Sequence, residues 1–321
     1  MDLDRMLAMC ERDQWSEHDL DWTVKPRELP REHEIAICQY FTDMSGIERL
    51  AGALFEVQRD NATDPRLRAI FQSFVVDEER HSRVAARLAR HYDVHRYRSY
   101  EQSPHLTRFA KHFVKAVRTV PPDIANVYIT TGELLLDIAL LRSLDDFVDD
   151  AMSRQAMRLI NRDESRHIAI DHYMVEHYAS PAYDAWLRAQ PKKRRRDRVR
   201  GILTIAGFMW HGRPFFRDVF FAPMDLLDPT GIRLREAFKR IQLLSLKEGV
   251  GDRPFTRFTL GLQRLVEHPR YGALLTPLVE QVLGVDARVL RTLYTDEEAA
   301  AARAKSFDQL AEEAVAAKGA K

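Results

Sequence analysis

The chain has 321 residues, enough to bury a sizeable core and more than one simple four-helix bundle needs. Its 49 Lys and Arg against 48 Asp and Glu leave a formal charge of +1, without the broad basic excess of a nucleic-acid-binding protein. Cys10 and Cys38 make no disulfide framework, the acidic start Met1-Asp2-Leu3-Asp4 is not an export signal, and no run approaches the roughly 18 apolar residues of a membrane span, so a cytoplasmic protein is expected.

Residues 1–30 are charged, end in Pro26 and Pro30, and read as an N-terminal arm around one short helix, with no motif. From Glu32 to about Arg59 the apolar residues Ile35, Ile37, Phe41, Ile47, Leu50 and Leu54 recur with the period of a helix that buries one stripe. Asn61-Ala62-Thr63-Asp64-Pro65 stops it. Asp64 as N-cap and Pro65 in the first helical position then open a second helix to about Tyr92, packed antiparallel on the first. A helix near 104–119 ends before Pro121-Pro122, and helices follow at about 122–148 and 151–178, in the order pair, crossover, pair. This bundle, residues 31–180, is expected to end around Pro181 and Pro191. Residues 181–295 form a C-terminal helical extension packed on it, with helices near 195–221, 229–248, 253–267, 270–283 and 286–293, broken at Asp228-Pro229 and His268-Pro269. Residues 296–321, rich in Ala, Glu and Lys, make an amphipathic or frayed tail. The expected fold class is all-α.

The sequence repeats itself inside the bundle. Asp77-Glu78-Glu79-Arg80-His81 and Asp163-Glu164-Ser165-Arg166-His167 are one D-E-x-R-H string, 86 residues apart, and His91-Tyr92 and His177-Tyr178 recur at the same offset. Glu48 precedes the first string's glutamate by 30 residues and Glu133 precedes the second's by 31. Two half-helices and a turn amount to about thirty residues, so each lone glutamate reaches the same depth in the bundle as its partner string.

On a helix, residues i and i+3 share a face, so Glu78 with His81 and Glu164 with His167 each grip one site. With Glu48 and Glu133 these are four carboxylates and two imidazoles, the ligand set of a carboxylate-bridged metal pair. Four negative charges offset two divalent ions that repel each other at short range. A structural zinc site prefers thiolates, so two irons are favoured, with a manganese–iron pair left open. The four glutamates are also the expected catalytic groups, shifting between bridging and terminal binding. Glu56 lies on a face near that of Glu48, and the symmetry of the spacing selects Glu48.

Around the ligands, Asp77 and Asp163 are placed to accept the second N–H of a histidine from the other hairpin, with Arg80 and Arg166 limiting their charge. Asp137 and Asp171 lie on the ligand stripe four residues after Glu133 and His167, and read either as proton-delivery groups or as exposed residues near the bundle end. Thr130 is expected to bond its own backbone. Ala51, Gly52 and Ala85 leave room either for substrate or for tight packing, while His91, His172 and His177 lack ligand spacing and read as surface or capped residues. Trp210-His211-Gly212-Arg213 with Phe215-Phe216 reads as a core edge more than a substrate clamp, and Gly249-Val250-Gly251 as a turn. The run 192–200 holds seven basic residues against Asp197, and reads as a solvated helix start or as a surface for an acidic partner such as an acyl carrier protein or reductase.

The two D-E-x-R-H strings, each with its upstream glutamate, resemble the ferritin-like di-iron oxidases and oxygenases across about residues 32–180. That superfamily includes acyl carrier protein desaturases, bacterial multicomponent monooxygenases, the ribonucleotide reductase small subunit, rubrerythrins and p-aminobenzoate N-oxygenase. The resemblance implies a ferritin-like four-helix bundle with a long crossover plus additional C-terminal helices. It also implies metals that use dioxygen or peroxide to hydroxylate, desaturate or otherwise oxidise a small or carrier-bound organic substrate, with a ferredoxin or reductase as electron donor. The N-oxygenase type carries an extra histidine four residues before its second-string glutamate, where this chain has Ile160, which argues against arylamine N-oxygenation. The 55 residues from Glu78 to Glu133 leave room for a crossover helix and lean towards the desaturase or oxygenase kind. The competing expectations are a rubrerythrin- or ferritin-like peroxidase or iron-handling protein without organic substrate, and a non-catalytic scaffold. A homodimer through exposed helix faces stays open.

Overall fold

The computed structural model describes residues 1–191 and 194–319, and among these every regular element is helical. In chain order the helices are α1 (Leu3–Arg12), α2 (Arg31–Asn61), α3 (Pro65–Tyr92), α4 (Pro104–Val117), α5 (Pro122–Val148), α6 (Ala151–Ala179), α7 (Pro181–Ala189) and α8 (Arg195–Phe215). Then come α9 (Met224–Leu227), α10 (Ile232–Ser245), α11 (Pro254–Val266), α12 (Gly272–Leu283), α13 (Asp296–Ala304) and α14 (Phe307–Ala317). Lys192 and Lys193 of the basic run, and Ala320 and Lys321 of the tail, lie outside the described residues.

Local chemistry sets the helix ends. The Asp64 side chain accepts the Arg66 N–H, and Pro65 starts α3 with no amide to satisfy. Asp149, left-handed at φ 47°, ends α5, and Asp150 caps α6 through the Ser153 N–H. The Asp150 carboxylate also accepts the Tyr92 hydroxyl at 2.8 Å and the Arg27 N–H at 3.1 Å, which joins the ends of α3 and α6 to the N-terminal arm. Helices α2, α3, α5 and α6 share one apolar core, which runs from Leu3 in the arm to Ala314 in the tail. Within α5, residues Leu135–Leu141 wind as a π-helix and are all buried. A π turn takes in extra residues and shifts the faces that follow it, a feature common at functional sites.

α6 ends at Ala179, and Pro181 opens the short α7, capped by Ser180. Two expectations for the C-terminal part are corrected. The helix expected at 286–293 is a single 3-10 turn, Ala287–Val289, because Gln242 and Glu267 bind the backbone of residues 291–293 and hold it open. The tail is ordered as α13 and α14, each begun by a capping box, Thr295 with Glu298 and Ser306 with Gln309, and α14 packs against α6. Pro122–Val148 is also long and apolar enough, by length and composition, to cross a membrane, contrary to the expectation that no run comes close. Its apolar window is 72% buried inside the protein and it carries Glu133 and Asp137 inward, which is how a core helix passes that test.

Gly249 turns the chain with φ 75° against the end of α6, where a Cβ would sit 2.4 Å from the Ala179 carbonyl oxygen. Gly249→Ala is expected to destabilise by on the order of 1–3 kcal/mol. Gly261, inside α11 with nothing within 4 Å of an added Cβ, is the control, and Gly261→Ala is expected to stabilise by about 0.5–1 kcal/mol. Equal melting temperatures for the two variants would contradict this account of the turn.

Candidate metal centre

The structure brings Glu48 of α2, Glu78 and His81 of α3, Glu133 of α5, and Glu164 and His167 of α6 to one buried point. Glu48, Glu78, His81 and Glu164 offer ligand atoms within 4.8 Å of one another, and so do Glu78, Glu133, Glu164 and His167. The two sets share Glu78 and Glu164, which is the geometry of two positions joined by two common carboxylates. His81 Nδ1 lies 3.0 Å from Glu164 Oε1, and His167 Nδ1 lies 2.8 Å from Glu164 Oε2. His167 Nδ1 is also 3.3 Å from Glu78 Oε1 and 3.9 Å from Glu133 Oε2. Glu56 stays outside, paired with Arg118 at 3.7 Å near the surface.

The inward atoms fit cations. Among the described residues, both oxygens of Glu78, Oε2 of Glu164 and Nδ1 of both histidines are buried and, though close to one another, make no well-aligned hydrogen bond, an arrangement that a bound cation would relieve. Burial, then the neighbouring Glu164 charge, pushes Glu78 and Glu133 well above the usual carboxylate range, and pushes Glu48 up to about 7. Burial also opposes charge on Glu164, but His167 and His81 hold it well below its ordinary value. Against the same burial, Asp163 and Glu164 raise His81, and Glu164 and Asp77 raise His167. Protons thus take the place that metal charge would fill.

Behind the histidines sits a crossed layer of charge. His81 Nε2 lies 3.2 Å from Asp163 Oδ2 and His167 Nε2 lies 3.5 Å from Asp77 Oδ2, each pair linking α3 to α6. Arg80 bonds Asp77 and reaches Asp163 at 3.0 Å; Arg166 bonds Asp163 at 2.8 Å and reaches Asp77 at 3.3 Å. These carboxylates orient the imidazoles with Nδ1 inward. The arm, which reads as motif-free in sequence, completes the layer. Trp15 Nε1–H donates to Asp163 Oδ2 at 2.6 Å, Gln14 accepts from Arg80 at 3.0 Å, and the Trp15 ring lies 4.9 Å from the Arg80 guanidinium. Nothing in the local sequence marks Trp15, because its partners are more than sixty residues away.

Asp137 and Asp171 are fully buried on the ligand stripe, which corrects the alternative of exposure near the bundle end. Lys318, just past α14, reaches Asp137 Oδ2 at 3.3 Å, Asn161 O at 2.8 Å and Ser165 Oγ at 3.2 Å. The tail therefore places a buried cation beside the site, a role its composition does not reveal. Burial raises Asp137 to about 7 against the pull of Lys318, and both oxygens of Asp171 are without a hydrogen-bond partner. Thr130 donates to the Asn126 carbonyl at 2.9 Å, the backbone bond expected of it. His172 is buried, not at the surface, with Nδ1 at 2.8 Å from the Ile168 carbonyl; neither it nor His91 or His177 joins the cluster.

An apolar cavity of about 250 Å³ lies between the bundle and the C-terminal helices, and Glu133 is on its wall. Leu50, Ala51 and Leu54 line it from α2, Phe109 and Phe113 from α4, and Phe215, Phe238 and Phe255 from the C-terminal third. Glu133 and Arg213 are its charged lining residues. The aromatic–basic cluster is thus more than a core edge: Phe215 stacks on Phe109 with centroids 4.3 Å apart, and Gly212, Arg213, Phe215 and Phe216 all face the cavity. Ala51 gives it room, whereas Gly52 serves close packing, since a Cβ there would lie 3.4 Å from Glu78 Cβ.

Fold and site together define an all-helical protein with a buried carboxylate–imidazole cluster beside an apolar cavity. No family model, curated protein or solved structure matches the chain, so its reading rests on this geometry.

The titration shifts give a sign. Glu48 titrates near 7 when folded and near 4.5 when unfolded, and Glu78, Glu133, Asp137 and Asp171 are raised likewise, so between those values the folded chain holds more protons. The raised His81 and His167 act in the same direction; His172, lowered to about 4, and the lowered His91, His112 and His177 oppose it but are fewer, and the lowered Glu164 and Asp163 act only in more acidic solution. Metal-free protein should therefore lose thermal stability as pH rises from about 4.5 to 7. Divalent metal should stabilise more at the upper end, because binding displaces those protons; a metal-free melting temperature that climbs across this window contradicts the assignment. Trp15→Phe keeps the ring but removes the donor to Asp163. It is expected to weaken metal binding by about tenfold in a titration, with the fold intact by circular dichroism.

Proposed function

We propose that this chain is a ferritin-like di-iron oxidase or oxygenase that uses dioxygen to oxidise an apolar organic substrate held beside Glu133. The observation that carries the reading is the pair of four-ligand sets sharing Glu78 and Glu164, one wall of which opens on an apolar cavity. Glu48 and His81 would serve one metal, Glu133 and His167 the other, and Glu78 with Glu164 both. Two irons, or a manganese–iron pair, held there would supply redox-active centres and open coordination positions for dioxygen chemistry. Electrons must come from a separate donor such as a ferredoxin or reductase.

The chain's own residues do the rest. Asp163 and Asp77 hold the two imidazoles in the tautomer that presents Nδ1 inward. The aromatic wall excludes water and positions a substrate whose bulk is apolar. Asp137 is placed to hold or release a proton at Oδ1, which has no partner, while Lys318 steadies Oδ2. A storage or peroxide-removing bundle needs no apolar cavity of this kind, which favours the oxidase over that alternative.

The test is metal analysis with a substrate-dependent oxygen reaction. Anaerobically loaded protein should hold about two irons per chain. Oxidation by dioxygen should speed up when an apolar substrate is present. Glu78→Ala and Glu164→Ala should each lose iron, and unchanged iron content in both rejects the metal centre. Gly132→Phe, at a cavity-lining glycine with nothing within 4 Å of an added Cβ, should keep the iron and lose the substrate effect. A retained effect in that variant rejects the cavity as the substrate site.

A further inference from the structure

Helix α8 carries an apolar stripe that nothing among the described residues covers. Ile202, Leu203 and Trp210 are 68%, 67% and 79% exposed, with Val199 and Ile205 exposed beside them. Positions 199, 203, 206 and 210 follow at three- and four-residue steps, one face of a helix. On α12, Leu274, 76% exposed, is followed at four-residue steps by the exposed Leu278 and Val282. The two helices touch at their C-terminal ends, where Gly284, just past α12, lies against α8: a Cβ there would be 2.5 Å from the Arg213 carbonyl oxygen. Isolated exposed apolar residues are ordinary, but a patch drawn from two touching helices marks an interaction surface.

Charge selects the occupant. Arg194, Arg195, Arg196 and Arg200 are exposed at one end of the α8 stripe, with Asp197 the acid among them. At the other end Arg213 is half-buried on the cavity wall, within electrostatic reach of Asp218, which Arg217 already pairs at 2.6 Å. A second copy packed parallel on this face would set arginines against arginines, and one packed antiparallel would set them against the Trp210 end, where Asp218 is already paired with Arg217. An acidic protein would answer the arginines but not the large apolar side chains between them. A bilayer with anionic headgroups answers both: the arginines pair with phosphates, and Trp210, Ile202, Leu203 and Leu274 enter the boundary between headgroups and acyl chains. Arg213 and Val282 also line the apolar cavity, so this face adjoins the space in which an apolar ligand would sit.

We propose that α8 and α12 form a docking face by which the protein seats peripherally on a membrane rich in anionic lipid. The face is remote in composition from the carboxylate cluster, and the proposal stands whether or not metal binds there.

Full-length protein is sedimented with vesicles of phosphatidylcholine alone and of phosphatidylcholine with about one-third phosphatidylglycerol. Binding is expected on the anionic vesicles, weakening as salt rises, with little on the neutral ones. Arg195→Gln with Arg196→Gln should lower the affinity by on the order of tenfold. Ile202→Ser, Leu203→Ser and Trp210→Ser together should abolish binding while leaving the circular dichroism spectrum and metal content as in the parent, since all three side chains face solvent. Absence of wild-type protein from the anionic pellet overturns the proposal, as does a triple variant that binds like the parent. A wild-type dimer that the triple variant converts to monomer in ultracentrifugation overturns it in favour of a second copy.

Discussion

Four glutamates buried at one point impose the constraint that orders the rest of this molecule. Asp77 and Asp163 are answered by Arg80 and Arg166 in a crossed layer, which is neutral by itself. Among the described residues, Glu48, Glu78, Glu133 and Glu164 are left with two imidazoles, and Lys318 beside them is already held by Asp137. Carboxylates in such surroundings must take up protons or bind metal, because the interior does not tolerate uncompensated charge. The orphaned oxygens of Glu78 and the inward Nδ1 atoms of His81 and His167 are the structural trace of that demand.

The same constraint accounts for the way the termini wrap the bundle. The arm brings Trp15 and Gln14 to the Asp–Arg layer on one side, and the tail brings Lys318 to Asp137 on another. Trp15 and Lys318 each donate to a buried carboxylate, and Gln14 accepts from Arg80. In a low-dielectric interior such bonds are strong when made and expensive when missing.

Although the D-E-x-R-H strings repeat, the two halves of the cluster are not equivalent. Glu133 faces the apolar cavity and Glu48 does not. The difference arises in α5, whose π-helical stretch follows Glu133 and packs against α10, so the C-terminal third shapes open space only on that side. In the proposed reading, the position served by Glu133 and His167 is the one that meets substrate. The cavity wall continues through Arg213 and Val282 towards the exposed face of α8 and α12, which links the Glu133 side of the cluster to the surface.

Helices α2, α3, α5 and α6, the turn at Asp64-Pro65, and the convergence of Glu48, Glu78, His81, Glu133, Glu164 and His167 were all legible in the sequence. The reason is that helical period, capping and the thirty-residue depth match are local quantities, and a duplicated string doubles their signal. Tertiary structure alone decided that Trp15 meets Asp163, that Lys318 meets Asp137, that Asp137 and Asp171 are buried, and that Gly212, Arg213 and Phe216 border a cavity. Those facts depend on where segments more than a hundred residues apart come to rest, and composition carries no record of such landings. Tail and arm look featureless for that reason, and Pro122–Val148 passes for a membrane span because a stripe packed on protein and one packed on lipid use the same residues.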